Sequence, residues 1–342
     1  MNDASSFAEK ILEAAISQHA SDIHFHPNPK SSETNIHFRI HGERQHYAVI
    51  ANDQYQKLLT YYKFTSEMDI GEVRKPQNGT LEIFDPISKQ PYSLRLSTLP
   101  VMRNESLAIR LLPQEKLHSL DQLFLFPSQL AKITKWMSYR SGLILFTGPT
   151  GSGKTTTMYA LLEHHIKKHP YQVITLEDPI EKNIEGVLQV QLNEKAGITY
   201  QSGLKAALRH DPDIIMVGEI RDAATAKFAF EASLTGHLVL GTLHARDAVG
   251  TIKRLREMGI RQSDLEQSLI CVAALDLLRL DILNDKAQRA AIMELLYDEQ
   301  LRDAIWEIPL THYLNVDFNH LRKKAFAYGF INEKIYKETE KK

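Results

Sequence analysis

The chain has 342 residues, enough for one large domain or two ordinary ones, and 43% of them are apolar, so a full core can be buried. Its 41 basic and 42 acidic residues nearly cancel to a net charge of −1, so no global field marks a binder of nucleic acid or acidic substrates. The single cysteine, Cys271 in Leu269-Ile270-Cys271-Val272-Ala273, excludes a disulfide framework and a tetracysteine zinc site, and it reads as a small core residue in a reducing compartment.

The start, Met1-Asn2-Asp3, has no basic region followed by an apolar core, so no secretory signal is expected. No apolar run approaches the roughly 20 residues that span a bilayer. The expectation is a cytoplasmic protein held at a membrane by its partners.

Phe7, Ile11, Leu12, Ala15 and Ile16 recur at helical spacing after Ser5-Ser6. Strand-like segments follow at Asp22–His26, Asn35–Ile40, Thr80–Phe84 and Ser93–Ser97. Turns separate them, notably Pro76-Gln77-Asn78-Gly79. These segments predict a small α+β domain over 1–112. A linker is expected over 113–125, mixed and polar in Pro113–Gln122.

From 126 onward strand and helix signals alternate. Strands are expected at Leu143–Thr147, Val173–Leu176, Ile214–Val217 and Leu238–Leu243. Helices are expected from Lys154, around Ser202–Arg209 and around Ala223–Leu234. Short apolar strands alternating with helices imply an α/β fold with a mainly parallel sheet covered on both faces. From about 264 the chain reads as mostly helical, apart from a strand-like stretch near Ala291–Leu295, and it ends in the charged tail Glu333–Lys342.

Gly148-Pro149-Thr150-Gly151-Ser152-Gly153-Lys154-Thr155 fits the phosphate-binding loop pattern G-x-x-x-x-G-K-[ST] between a strand and a helix. Glycines let the backbone wrap phosphate oxygens with its N–H groups turned inward. The positive end of the following helix faces the anion. Lys154 is placed to reach the β- and γ-phosphates, the Thr155 hydroxyl to ligate Mg²⁺, and Thr156 completes the nucleotide-binding stretch.

Three further strand ends carry polar residues. Ile214-Ile215-Met216-Val217 runs into Gly218-Glu219, and a glutamate there can orient or deprotonate the attacking water. Thr175-Leu176-Glu177-Asp178-Pro179-Ile180-Glu181 places three acids after a strand expected beside the loop strand, where carboxylates could hold Mg²⁺ through water; alone it could equally be a solvated acidic turn. Gly241-Thr242-Leu243-His244 ends another strand in histidine.

The order of the P-loop, Leu176–Glu181, Leu208–Asp222 and Gly241–Ala245 resembles the type II/IV secretion ATPases, which drive type II secretion, type IV pili and DNA uptake. In the N-terminal part, Ala20–His24, Arg39-Ile40-His41-Gly42, Arg74–Gly79 and Leu94–Thr98 resemble motifs of that family, with His41 standing where an aspartate is usual. The resemblance covers nearly the whole chain. It implies a RecA-like P-loop ATPase core with a smaller, PAS-like N-terminal domain and a helical C-terminal region. It implies ATP and Mg²⁺ as nucleotide and cofactor.

The same resemblance implies roles for single residues. Glu219 would be the catalytic base, Glu177 an acidic-box residue near the metal, and His244 a sensor of the γ-phosphate. Arg95 and Arg110 would reach the nucleotide from the N-terminal domain, as arginine fingers do. Arg209 and Arg221 are weaker candidates. A hexameric ring working on an inner-membrane platform protein is also implied, with the chain peripheral at the inner face of the membrane.

Departures narrow this. The stretch from Asp247 to Ser268 is short and lacks the four cysteines of many members, and the usual Ala-Gln-Arg-Leu appears as Ala274-Leu275-Asp276-Leu277. A compact form of this kind is most similar to the competence ATPases of Gram-positive bacteria, which power a pseudopilus for DNA uptake. A secretion or retraction motor stays open as an alternative on the same fold. So does a nucleotide-gated scaffold with little turnover, although the intact Glu219 and His244 speak against it. Direct DNA binding is not expected, because no basic stripe with interleaved aromatics is present.

Overall fold

The computed structural model describes residues 2–40, 42–85, 88–102, 104–114, 119–280, 289–309 and 317–340. His41 therefore lies outside the described residues, as do 115–118 of the expected linker. The chain divides into two compact units, Met1–Lys116 and Leu117–Lys342.

The first unit begins with helix α1 (Asn2–Ser17), which buries Ala8, Ile11, Leu12, Ala15 and Ile16 along one stripe. Strands β1 (Asp22–Pro27), β2 (Glu33–Ile40) and β3 (Glu43–Ala51) lead to helix α2 (Asn52–Thr65), and β4 (Gln77–Phe84), β5 (Pro91–Val101) and β6 (Asn104–Pro113) complete the unit. The sheet runs β3-β2-β1-β6-β5-β4 and is antiparallel throughout. Alternation sorts its faces. Ile23, Phe25, Ile36, Phe38, Leu94, Leu96, Leu107 and Ile109 are buried with residues of the two helices. Most alternate positions, among them His24, His37, Arg39, Arg95 and Arg110, carry polar residues.

One expected turn is corrected here. Gln77-Asn78-Gly79 is the start of β4, paired with Ser97 and its neighbours on β5. Gly79 is needed for close approach rather than for turning, since a β-carbon there would come within 2.5 Å of the Ser66 carbonyl oxygen.

The second unit opens with α3 (Leu120–Leu123), α4 (Pro127–Trp136) and β7 (Gly142–Thr147). Next come α5 (Lys154–Ile166), β8 (Val173–Glu177), β9 (Val187–Gln191), α6 (Tyr200–Ala207), β10 (Ile214–Val217), α7 (Ala223–Leu234) and β11 (Leu238–Leu243). It closes with α8 (Ala248–Glu257), α9 (Gln262–Ser268), β12 (Leu269–Arg279), β13 (Arg289–Tyr297), α10 (Asp298–Ile305), α11 (Phe318–Ala327) and α12 (Glu333–Glu340).

Its sheet runs β13-β12-β7-β11-β10-β8-β9, parallel except for the β12–β13 pair. Every residue of β7, β8, β10 and β11 is buried, as expected for parallel strands covered on both faces. Separate clusters of buried apolar side chains pack on the two faces.

Two expectations change. β8 does not lie beside β7, because β11 and β10 stand between them. The segment after 264 is not continuously helical, because Leu269–Arg279 is a strand paired with both β7 and β13. Its nearly unbroken apolar run fits a buried strand as well as a buried helix, so periodicity alone does not separate the two. The strand-like stretch near Ala291–Leu295 lies within β13. Among the described residues no helix is long and apolar enough to cross a membrane.

Candidate active site

The P-loop turns between β7 and α5, at the carboxyl end of the parallel strands, where ligands bind in open α/β sheets. Two glycines are required by its path. Gly148 passes so close to β12 that a β-carbon would lie 2.6 Å from the Leu275 carbonyl oxygen. Gly153 caps α5 with φ of 92°, a backbone conformation that side chains disfavour. Lys154 is 8% exposed, and its Nζ donates to the carbonyls of Gly148 at 2.7 Å and Pro149 at 3.0 Å. Burial pushes the Lys154 ammonium below its ordinary pKa, and the charge of Glu219 opposes that shift.

A cavity of about 510 Å³ opens beside the loop. Thr150, Gly151, Gly153, Lys154, Thr155 and Thr156 line it, and so do Glu177, Glu219 and His244. The structure thus brings residues from four strand ends to one place. Ser152 is buried and does not line this cavity, while Gly148 and Pro149 border a neighbouring one.

Glu219 follows β10, where the Gly218 N–H donates to the Leu176 carbonyl at 2.8 Å and the Thr242 hydroxyl donates to the Gly218 carbonyl at 2.5 Å. The Glu219 side chain, 24% exposed, is met on both oxygens. His244 Nε2 lies 3.3 Å from Oε1, and Arg221 Nε donates to Oε2 at 2.7 Å. Arg221 Nη1 also donates to Asp178 Oδ2 at 2.9 Å, so one guanidinium joins the ends of β8 and β10. The hydrogen bond to Glu219 raises the Arg221 pKa, with burial opposing. Arg221, a weak candidate from sequence, is therefore built into the site. Arg209 is exposed and does not line the cavity.

Glu177 is 2% exposed and held by three donors. Thr175 Oγ1 donates to Oε1 at 2.6 Å and Gln189 Nε2 to the same oxygen at 3.1 Å, while the Tyr159 hydroxyl donates to Oε2. The Glu181 N–H donates back to the Tyr159 oxygen at 3.1 Å. Tyr159, Thr175 and Gln189 were not foreseen. For Tyr159 a signal exists: it stands four residues after Thr155 on α5, hence on the same helix face.

Arg95 and Arg110 belong to the first unit, directly opposite each other on β5 and β6. Across the same row Arg110 faces Asp22, which faces Arg39. Arg110 Nε donates to Asp22 Oδ1 at 2.9 Å, and Arg39 Nε lies 3.7 Å from Oδ2. Burial raises the Asp22 pKa, but the hydrogen bonds from Arg110 and Ser21 outweigh it and lower it overall. Arg39 and Arg110 flank the one carboxylate and Arg95 follows Arg110, so three guanidiniums against one carboxylate make this row cationic.

A larger cavity, about 990 Å³, shares Thr150 and His244 with the first and is also lined by Glu294 on β13. Burial pushes the Glu294 carboxyl up to about 7, helped by Asp247 and Asp317 and opposed by the hydrogen bond from the Ala248 N–H at 3.2 Å. The folded chain therefore keeps a proton that the unfolded chain releases at lower pH, so this contribution to stability is present in acid and lost as pH rises through about 7. Glu294→Gln removes the titration. The variant should gain stability relative to the parent on going from pH 5 to pH 8, by about 2–4 °C in melting temperature for each kcal/mol. An equal difference in thermal denaturation at both pH values would contradict this.

The family described as Type II/IV secretion system protein matches residues 3–309. The chain is 42% identical to Competence protein ComGA of Bacillus subtilis, over 98% of each chain. It is 40% identical to Competence protein ComGA of Halalkalibacterium halodurans, over 96% of each. Among solved structures it resembles the pilus retraction motor PilT with bound ADP, at a TM-score of 0.74 and 26% identity, over 96% of each chain. With its P-loop fold and end-to-end matches, the chain belongs to the type II/IV secretion family and is one of its ATPases.

Proposed function

We propose that this chain is the ATP-hydrolysing motor that powers assembly of a competence pseudopilus for DNA uptake. The observation that carries the reading is the end-to-end match to a competence protein, over 98% of both chains. The site chemistry supports the motor part. Lys154 and the loop amides hold the phosphates. Glu219 takes the proton of a water whose oxygen attacks the γ-phosphorus, the β–γ bridging P–O bond breaks, and ADP and phosphate leave. His244, touching Glu219, links the base to the γ-phosphate position. We propose for Arg95 and Arg110 the part of cations that meet the phosphoryl charge.

The oxygen donors around the cavity suit a hard divalent ion: the Thr155 hydroxyl and the carboxylates of Glu177 and Asp178. Thr155 directly, and Glu177 through water, would hold Mg²⁺, which neutralises phosphate charge when bound. Among the described residues Glu177 Oε2 accepts one hydrogen bond, which leaves a lone pair for such a water. A homo-oligomeric ring of six chains, at the inner face of the membrane on a platform protein, completes the proposal.

Transformation tests the function. A deletion strain should lose transformation by chromosomal DNA, and the wild-type chain on a plasmid should restore it. Protein export intact in the deletion strain fits the proposal. Undiminished transformation in that strain would sink it.

A further inference from the structure

The P-loop rests on the end of β12. Leu275 offers the carbonyl that Gly148 skirts, and a β-carbon on Gly153 would lie 3.6 Å from Leu277 Cδ2. Asp276 stands between these two supports. Its Oδ1 accepts the Leu277 N–H at 3.0 Å, and its Oδ2 accepts Arg322 Nη2 at 2.8 Å. The pair is sheltered, with side chains 11% exposed for Arg322 and 22% for Asp276. Arg322 comes from α11, which packs Leu321 and Ala325 against Leu278, Ala290 and Ile292 of β12 and β13. The Arg322 Nε is buried with no hydrogen-bond acceptor among the described residues, and the side chain lines the same cavity as Gly148 and Pro149.

We propose that Arg322 is a positioning residue for the nucleotide site: through Asp276 it ties the C-terminal helix α11 to the strand end that supports the P-loop. A hydrophobic contact would hold α11 to the sheet without fixing where residue 276 sits. An ion pair fixes it, because each partner left alone is a sheltered, uncompensated charge. The N–H bond from Leu277 to the same carboxylate carries the constraint to the side chain over Gly153. Whatever moves α11 therefore moves the support of the loop. This rests on the nucleotide-site reading above.

The test uses the purified full chain and the variants Arg322→Ala, Arg322→Lys, Asp276→Asn and the exchanged pair Asp276→Arg/Arg322→Asp. Affinity for a fluorescent ADP should fall about fivefold or more in Arg322→Ala, less in Arg322→Lys, and recover to within about twofold in the exchanged pair. Hydrogen exchange without nucleotide should speed up about threefold or more at the amides of 148–155 in Arg322→Ala, with the β10 and β11 amides unchanged. ADP affinity within twofold of wild type in Arg322→Ala, or faster exchange spread evenly over the second unit, would overturn the proposal. If wild type itself binds no ADP, the nucleotide reading fails, while the exchange measurement still decides whether Arg322 pins the loop.

Discussion

Replacing Glu219 with glutamine should lower ATP turnover by about 10²–10³-fold and leave ATP bound, the size expected when a positioned general base is removed. The geometry explains why the loss falls on chemistry rather than binding. Glu219 follows β10 and has no part in the loop that wraps the phosphates. The amide has nearly the carboxylate's shape but no charge and far weaker basicity. Arg221 keeps its contact to Asp178 at 2.9 Å, so the ends of β8 and β10 stay joined. Steady-state phosphate release and a nucleotide titration on the same preparation check both halves. Turnover near wild type would remove Glu219 from the base role. Loss of binding and turnover together would make it a binding residue instead.

Lys154→Ala should weaken ATP binding by about 10²-fold, since hydrogen bonds to charged partners contribute about 1.5–3 kcal/mol each. Two effects combine. The ammonium no longer reaches the phosphates, and the loop loses its internal tie, because Nζ donates to the Gly148 and Pro149 carbonyls. The fold should survive, because the strands and helices around the loop bury their own apolar faces. A fluorescent nucleotide titration with a thermal melt of the same sample checks this. Unchanged affinity in a folded variant would contradict a phosphate role for the loop.

The motifs that follow strands were readable in the sequence, because each joins a local pattern to a local geometry. Gly148–Thr155, Glu219 and His244 all come from short apolar runs that end in a polar residue. The links between elements were not readable. Arg221 reaches Asp178 across 43 positions, and Arg322 reaches Asp276 across 46. Asp276 takes on meaning from that second pair. It stands where the family resemblance leads one to expect arginine, and an arginine is delivered to it from α11 instead.

Strand order was also beyond local reading. Glu177 meets the P-loop helix although β8 is not next to β7, because Tyr159 extends from α5 to its carboxylate. β12 reads as helix or strand equally well until its partners are known, since its unbroken apolar run Leu269–Leu275 shows no polar face. In the first unit the alternation of Ile23, Phe25, Ile36 and Phe38 with polar neighbours marks the sheet, but not that Arg39, Asp22, Arg110 and Arg95 share one row.

Whether this cavity holds ATP and cleaves it is decided by a single-turnover measurement. ATP is bound to the purified full chain with Mg²⁺, unbound nucleotide is removed, and the bound nucleotide is identified over time. Wild type should convert bound ATP to ADP and phosphate, while Glu219→Gln should retain it as ATP. Intact ATP recovered from wild type, or equal conversion by both proteins, would contradict this.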